Sequence, residues 1–265
     1  MSEKNDVISV VVVGSGNVAE AFAVAIANCW GVELRQIVAR NAERAAAIAS
    51  MAACEWTTDF GRAADADFYI IAVSDRAVAE VAESLRRPED SIVVHTAGSV
   101  SVEALGEGLR GVLYPFQTFT RGRRVAFQEV PLFIEGCNAD VEQRIRDFAD
   151  MLSMRVYRAD SVRRREVHLA GVLACNFVNA LYSMATDRLA QSEELPFDVL
   201  CPLIEETARK AVEAEHPRCV QTGPAVRGDR AVAERHITML DGEPLKQDIY
   251  KMLDEYIFTT TSHKS

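Results

Sequence analysis

The feature that most constrains this chain is a glycine-containing loop between an apolar strand and an alanine-rich helix. The segment VISVVVVGSGNVAEAFAVAIA, residues 7–27, begins with β-branched residues typical of a buried strand. The loop fits the pattern G-x-G-x-x-A and consists of Gly14, Ser15, Gly16, Asn17, Val18 and Ala19. The first glycine permits a tight turn, the second lets the backbone approach a pyrophosphate, and the small last residue allows close helix–strand packing. The loop therefore predicts a dinucleotide site, although a sheet that had lost its ligand would keep the same pattern.

The order of the remaining elements predicts the fold. Strands are expected at residues 7–13, 33–40, 65–73, 91–98, 110–116, 130–136 and 154–160, most of them separated by helical stretches. Strand–helix repeats give right-handed crossovers and a mainly parallel sheet. After residue 160 only helical patterns remain. We predict an α/β fold: a doubly wound Rossmann domain over residues 1–160, followed by an all-helical domain over residues 161–265.

The end of the second predicted strand bears on which dinucleotide is bound. Domains that prefer NAD usually place an acidic residue about twenty residues after the glycine loop, where it binds the ribose 2′-hydroxyl. Here Arg40 and Asn41 occupy that position, and an arginine suits the 2′-phosphate of NADP. Arg44 is a candidate second charge. The alternative is that Arg40 is a solvated surface residue.

Two further strand ends carry polar residues. Val73, Ser74 and Asp75 follow one strand, and the segment that begins with His95 follows the next. Ligands of open α/β sheets bind beyond the carboxyl ends of the strands, so all four are candidate site residues. His95 either donates a proton there or only bonds to the backbone.

Polar residues also interrupt the first long helix of the second half. His168, Asn176 and Asn179 recur at the spacing of one helix face. Buried amides need partners, so these residues either line a polar pocket or satisfy one another. Farther on, Thr222 and Arg227 lie in a compact polar loop. Arg227 is a candidate clamp for a carboxylate, or it pairs with Asp229 or Glu205 for structural reasons.

Composition excludes several functions and locations. The net charge of −10 argues against nucleic acid and anionic membranes as partners. No apolar run approaches the roughly 18–20 residues that span a bilayer, and the polar N-terminus MSEKND lacks a signal-peptide pattern. Six cysteines without a C-x-x-C pair indicate reduced thiols and no zinc site. We therefore expect a cytoplasmic protein without a metal.

Six segments together resemble a known family. They are VVVGSGNVA, VSDRAV, HTAGSVSVEAL, YPFQTF, HLAGVLACNFVNAL and TGPAVRGD. They look like NADP oxidoreductases, assigned from sequence, that join a Rossmann-like N-terminal domain to a C-terminal helical domain of unknown function. That family is similar to ketopantoate reductase, pyrroline-5-carboxylate reductase and the 6-phosphogluconate dehydrogenase group. The resemblance implies NADP at the glycine loop, a substrate cleft between the domains, and a homodimer formed through the helical domain.

One position departs from those relatives. Ketopantoate reductase and the hydroxyacid enzymes carry Lys-x-x-x-Asn on the first interdomain helix, with the lysine as proton donor. Aligning that asparagine with Asn176 puts Val172 in place of the lysine. His168, His95 or a water molecule would then supply the proton, since a histidine ordinarily titrates near neutrality.

Two functions therefore follow as hypotheses. The first is an NADP(H)-dependent reductase of a small anionic carbonyl or imine compound, such as the 2-oxo acid ketopantoate. In it His168, Asn176 and Asn179 hold and protonate the acceptor, and Arg227 with Thr222 binds its anionic group. The second is a non-catalytic NADP-binding protein in which the nucleotide changes an interaction surface.

Overall fold

The computed structural model describes residues 7–191 and 195–261. Residues 1–6, on which the prediction of no signal peptide depends, lie outside this part. Two compact units are present, the first ending at Ala174 and the second beginning at Cys175. The strands end near residue 160 as expected, but the first unit also includes the start of the helical segment.

The first unit is built on one eight-stranded sheet. Its strands are β1 (Ile8–Val13), β2 (Val32–Val38), β3 (Glu55–Thr57), β4 (Phe68–Ile71), β5 (Ile92–His95), β6 (Arg110–Pro115), β7 (Leu132–Gly136) and β8 (Val156–Arg158). Their order is β3-β2-β1-β4-β5-β6-β7-β8. All neighbours pair in parallel except β6 and β7, which are antiparallel. The predicted Rossmann-type sheet is confirmed.

Helices cover both faces of this sheet. The helices of the first unit are α1 (Asn17–Ala27), α2 (Ala42–Ala52), α3 (Val78–Ser84), α4 (Ala139–Leu152) and α5 (Ser161–Gly171). Helices α1, α2 and α4 pack into one apolar core, and α3 packs into the other. Every residue of β4 and β5 is buried, because a strand covered on both sides has no solvent face. Among the described strands, β3 alone was not predicted from the sequence, because its three residues are too few to show a pattern.

The second unit is helical throughout its described residues. It contains α6 (Phe177–Ala190), α7 (Cys201–Glu213), α8 (Arg230–Met239) and α9 (Pro244–Thr261). Within the described part of this unit, Ala233 alone is a buried residue. Large apolar side chains such as Phe177 and Leu203 are more than half exposed. The unit therefore has almost no core of its own.

A π-helical turn, Val172–Asn176, joins α5 to α6. A regular helix over residues 163–191 was expected, and the spacing that put His168, Asn176 and Asn179 on one face assumed it. A π turn adds a residue to the helical repeat, so the residues after it are rotated relative to that expectation. The shared face of His168 with Asn176 and Asn179 therefore stays a prediction.

The continuous helical segment also bears on the membrane prediction. Ser161–Ala190 is long enough to cross a bilayer. Its most apolar 18-residue window has a mean hydropathy of 1.3, and no residue of that window is buried. The expectation that no stretch would pass such a test was therefore wrong. Length and composition alone are weak evidence for a span, because a helix whose apolar face is covered by protein passes the same test.

Candidate functional site

A cavity of about 680 Å³ opens at the carboxyl edge of the sheet in the first unit. It lies beyond the ends of β1, β2, β4, β5 and β6, where open α/β sheets bind ligands. Its lining includes ten residues that the sequence predicted for the cofactor, namely Gly14, Ser15, Gly16, Asn17, Val18, Arg40, Asn41, Val73, Ser74 and Asp75. The fold thus brings three separate predicted segments to one site.

The glycine loop has the geometry of a phosphate cradle. Gly14 has φ +134°, and a Cβ placed on it would lie 2.2 Å from the Ala72 carbonyl oxygen, so the position admits glycine alone. A Cβ on Gly16 would meet nothing within 4 Å, which leaves that backbone open to the cavity. Gly16 is also the N-cap of α1, and no side chain caps the helix. The N–H groups of the first turn therefore fit a bound pyrophosphate.

Two side chains hold this loop in place. Asn17 donates from Nδ2 to the Phe119 carbonyl oxygen at 2.9 Å. Arg44 donates from Nε to the Ser15 carbonyl oxygen at 3.3 Å, and its Nη2 lies 2.7 Å from Oε2 of Glu20. Arg44 is mostly buried in this pair. It therefore steadies the loop, and the idea that it offers a second charge to the ligand was wrong.

Arg40 remains available to a ligand. It lines the cavity and is 68% exposed, and its Nη1 lies 3.9 Å from Oε1 of Glu80. Contacts between such exposed groups are weak, so a phosphate could displace Glu80. Asn41, which also lines the cavity, caps α2 by accepting a hydrogen bond from the Arg44 N–H.

The segment after β4 carries a carboxylate into the cavity. Asp75 accepts a hydrogen bond from Oγ of Ser99 at 2.5 Å, and this bond links the loops that follow β4 and β5. Val73 and Ser74 line the same wall.

His95 does not reach the cavity. Its side chain is fully buried, Nδ1 accepts from the Ala97 N–H at 3.2 Å, and Nε2 lies 3.3 Å from the Ser101 carbonyl oxygen. Burial, reinforced by the positive charge of Arg164, lowers the pKa of His95 to about 4. A neutral histidine with both ring nitrogens bonded to backbone holds a loop in place, so its prediction as a proton donor was wrong.

His168, in contrast, does line the cavity. It lies on α5, with Nδ1 3.2 Å from the hydroxyl oxygen of Tyr114 near the end of β6. Burial and the charge of Asp75 raise the pKa of Tyr114, so its phenol stays protonated at neutral pH. The position of Tyr114 at a strand end within YPFQTF predicts a wall of the nicotinamide pocket, but not its contact with His168.

The remaining predicted residues belong to the second unit. Asn176 ends the π turn and Asn179 lies on α6, both exposed. Thr222 and Arg227 are exposed in the loop before α8. Within the described residues, Arg227 makes no ion pair with Asp229 or Glu205, and Asp229 instead caps α8. The roles of these four residues remain predictions.

Comparisons with known proteins agree with this geometry. Residues 9–98 match the family described as NADP oxidoreductase coenzyme F420-dependent, and residues 130–257 match the domain of unknown function DUF2520. No curated protein matches the chain.

Solved structures extend the likeness to the whole chain. A Bacteroides fragilis protein, provisionally described as an NADP oxidoreductase, is 38% identical, with 97% of this chain and 100% of that one covered and a TM-score of 0.87. Plasmodium falciparum pyrroline carboxylate reductase with NADP bound is 11% identical over 97% and 99% of the two chains, with a TM-score of 0.59. An imine reductase from a Pseudomonas species is 15% identical over 96% and 92%, with a TM-score of 0.58.

The last two likenesses concern the fold alone, whereas the first extends to sequence along the full length. The glycine loop, the cavity at the sheet edge and that full-length match lead to one conclusion. The chain belongs to the NADP oxidoreductase family that combines a Rossmann-type nucleotide-binding domain with a DUF2520 helical domain.

Proposed function

We propose that the protein binds NADP(H) in the cavity of the first unit and reduces a small carbonyl or imine compound there. The observation that carries the proposal is that one cavity contains both the glycine loop and the Tyr114–His168 pair. A nucleotide cradle and a proton-bearing pair are the two components that a reductase requires.

The residues present fit the cofactor. The loop from Gly14 to Asn17 would hold the pyrophosphate at the uncapped end of α1, and Arg40 would bind the 2′-phosphate. NADPH, when bound, supplies the hydride. The NADP bound in the P. falciparum reductase supports this cofactor over other electron carriers.

The protein's own residues would orient and protonate the acceptor. Val172 occupies the position of the lysine found in related reductases, and His168 takes over the supply of the proton. Asn176 and Asn179 are proposed to orient the acceptor, and Arg227 with Thr222 to bind its anionic group. A 2-oxo acid such as ketopantoate is the first substrate to test, followed by cyclic imines.

The test is a screen of 2-oxo acids and cyclic imines for NADPH oxidation by the purified protein. We expect turnover with at least one acceptor, and we expect His168→Ala to lower kcat about 10-fold or more while the affinity for NADPH changes little. Tight NADPH binding without turnover on any acceptor would instead favour a non-catalytic nucleotide-binding protein.

We also propose that the helical unit is completed by a second copy of the chain. A unit with one buried residue among those described, and with exposed side chains such as Phe177, Leu203 and Leu245, needs a partner surface. Light scattering after gel filtration should give twice the chain mass. A detergent-dependent monomer would favour a membrane surface as the partner instead.

A cytoplasmic location completes the proposal. All six cysteines are free thiols, as a reducing compartment allows. Fractionation of cells that express the tagged chain should place it with the cytosolic proteins.

A further inference from the structure

Two side chains from distant parts of the first unit meet at the cavity. Tyr114 comes from β6 and His168 from α5, and their Oη and Nδ1 atoms lie 3.2 Å apart. Both residues line the cavity, together with Asp75 and Gly98. The pair is therefore part of the ligand site and not of the core.

Close packing fixes the pair on two sides. A Cβ on Gly98 would lie 2.8 Å from Cζ of Tyr114 and 3.1 Å from Nδ1 of His168. A Cβ on Gly171 would lie 2.6 Å from Cε2 of Phe116. The two glycines thus let the loop after β5 and helix α5 approach the Tyr114–Phe116 segment closely. This close packing holds the Tyr114 hydroxyl next to the His168 imidazole.

Helix α5 is itself anchored one turn before His168. The guanidinium of Arg164 is completely buried, forms an ion pair with Glu135, and donates to the carbonyl oxygens of Val100 and Ala159 at 2.8 and 2.9 Å. Such a fixed helix cannot swing His168 away from Tyr114 without breaking buried polar contacts.

The two members of the pair differ in access to solvent. Tyr114 is half-buried, whereas His168 is exposed, and Nε2 of His168 makes no hydrogen bond within the described part of the chain. Burial, together with the charge of Asp75, raises the pKa of Tyr114, so the phenol keeps its proton at neutral pH. The hydroxyl is thus a protected donor, and the imidazole connects it to water.

We propose that Tyr114 is the catalytic acid of this site and that His168 restores its proton. The inference rests on the proposed reductase function and assigns the proton path within it. The acceptor carbon gains the hydride given up by NADPH, the C=O or C=N π pair moves to the oxygen or nitrogen, and that atom takes the proton of Tyr114 Oη. The resulting phenolate takes a proton from His168, and His168 is reprotonated from solvent, so the net reaction consumes the acceptor, NADPH and one solvent proton and gives the alcohol or amine and NADP⁺.

The test compares hydroxyl removal at two tyrosines. Tyr114→Phe keeps the ring and its packing, and Tyr157→Phe is the matched control, because Tyr157 lies on β8, is 49% exposed and does not line the cavity. The assay follows NADPH oxidation with ketopantoate and with 2-methyl-1-pyrroline, and NADPH affinity is measured in parallel. We expect Tyr114→Phe to lower kcat at least 100-fold with NADPH affinity unchanged within threefold, since a general acid contributes about 10²–10⁴ in rate. Tyr157→Phe should match the wild type.

Added imidazole separates the two roles. His168→Ala should lose about 10-fold or more in kcat, and imidazole should restore part of that loss because the position is open to solvent. Imidazole should leave Tyr114→Phe unchanged, because the missing proton carrier is the phenol itself.

Activity of Tyr114→Phe within threefold of the wild type would overturn the assignment, as would a Tyr114→Phe loss that imidazole repairs. A wild-type protein that binds NADPH and reduces neither probe nor any other screened acceptor would contradict the proposed function first. A protein that fails to bind NADPH would contradict it at an earlier step.

Discussion

The buried arginine at the start of α5 gives the most demanding prediction about stability. Arg164 has no exposed surface, and its partner Glu135 is 19% exposed. Replacing Arg164 with methionine removes the ion pair and two hydrogen bonds to backbone carbonyls. The Glu135 carboxylate then remains in a mostly buried position without its cation.

The size of the loss follows from those contacts. An uncompensated buried charge costs about 3 kcal/mol at the lower end of the usual range, which we adopt because some water reaches Glu135. The loss of the two hydrogen bonds to carbonyl oxygens adds about 1 kcal/mol each. We therefore expect Arg164→Met to lower the free energy of unfolding by about 5 kcal/mol. In the double variant Arg164→Met/Glu135→Met the unpaired charge is absent, so the loss should shrink to about 2 kcal/mol.

Urea denaturation followed by tryptophan fluorescence measures this well. The chain has two tryptophans, Trp30 and Trp56, and both lie in the first unit with Arg164. A loss below 1 kcal/mol in the single variant would refute the reasoning, and so would a double variant no more stable than the single one.

Three shorter predictions concern the cavity and its surroundings. Gly14→Ala should cost at least about 2 kcal/mol of stability in the same urea assay, because φ is positive and the new Cβ would overlap the Ala72 carbonyl; unchanged stability would contradict the loop geometry. Arg40→Ser should weaken the binding of NADPH roughly 10- to 100-fold and that of NADH little, since a charged hydrogen bond is worth about 1.5–3 kcal/mol. Glu80→Gln, in contrast, should strengthen the binding of NADPH slightly. Equal losses of affinity for both nucleotides in a calorimetric titration would refute the 2′-phosphate assignment. In the folded protein His95 has a pKa of about 4, below its ordinary value of 6.5. As the pH falls, the unfolded chain therefore binds a proton at His95 before the folded protein does. The free energy of unfolding should fall by up to about 3 kcal/mol as the pH drops from 6.5 to 4. His95→Asn should lack that part of the slope in urea titrations across this range, and a variant with the same slope would show that other groups cause it.

The sheet and the nucleotide cradle were predictable because they rest on local patterns. The all-apolar runs of β4 and β5 indicate strands covered on both faces, and the spacing of Gly14 and Gly16 requires a tight turn beside a helix. Strand ends such as Ser74 then fall at the cavity through the topology of a parallel sheet.

The chemistry of the site was less predictable because it depends on contacts between distant residues. Sequence alone could not show that His95 bonds to backbone while His168 meets Tyr114, 54 positions away. It gave no sign of the π turn either, which changes the regular helical spacing assumed between His168 and Asn179. Arg44 was misjudged because its partner Glu20 lies on another helix.

Gly16→Ala separates the binding of NADP(H) in the glycine-loop cavity from the folding of the loop. A methyl group at this position meets nothing within 4 Å in the protein itself, so the variant should fold with an unchanged Tm. The same methyl group would occupy the space that the pyrophosphate needs. Calorimetric titration should give saturable one-to-one binding of NADPH to the wild type, with Tm raised by the ligand, and at least 10-fold weaker binding to Gly16→Ala. No binding to the wild type, or equal affinity in a normally folded Gly16→Ala variant, would contradict the account.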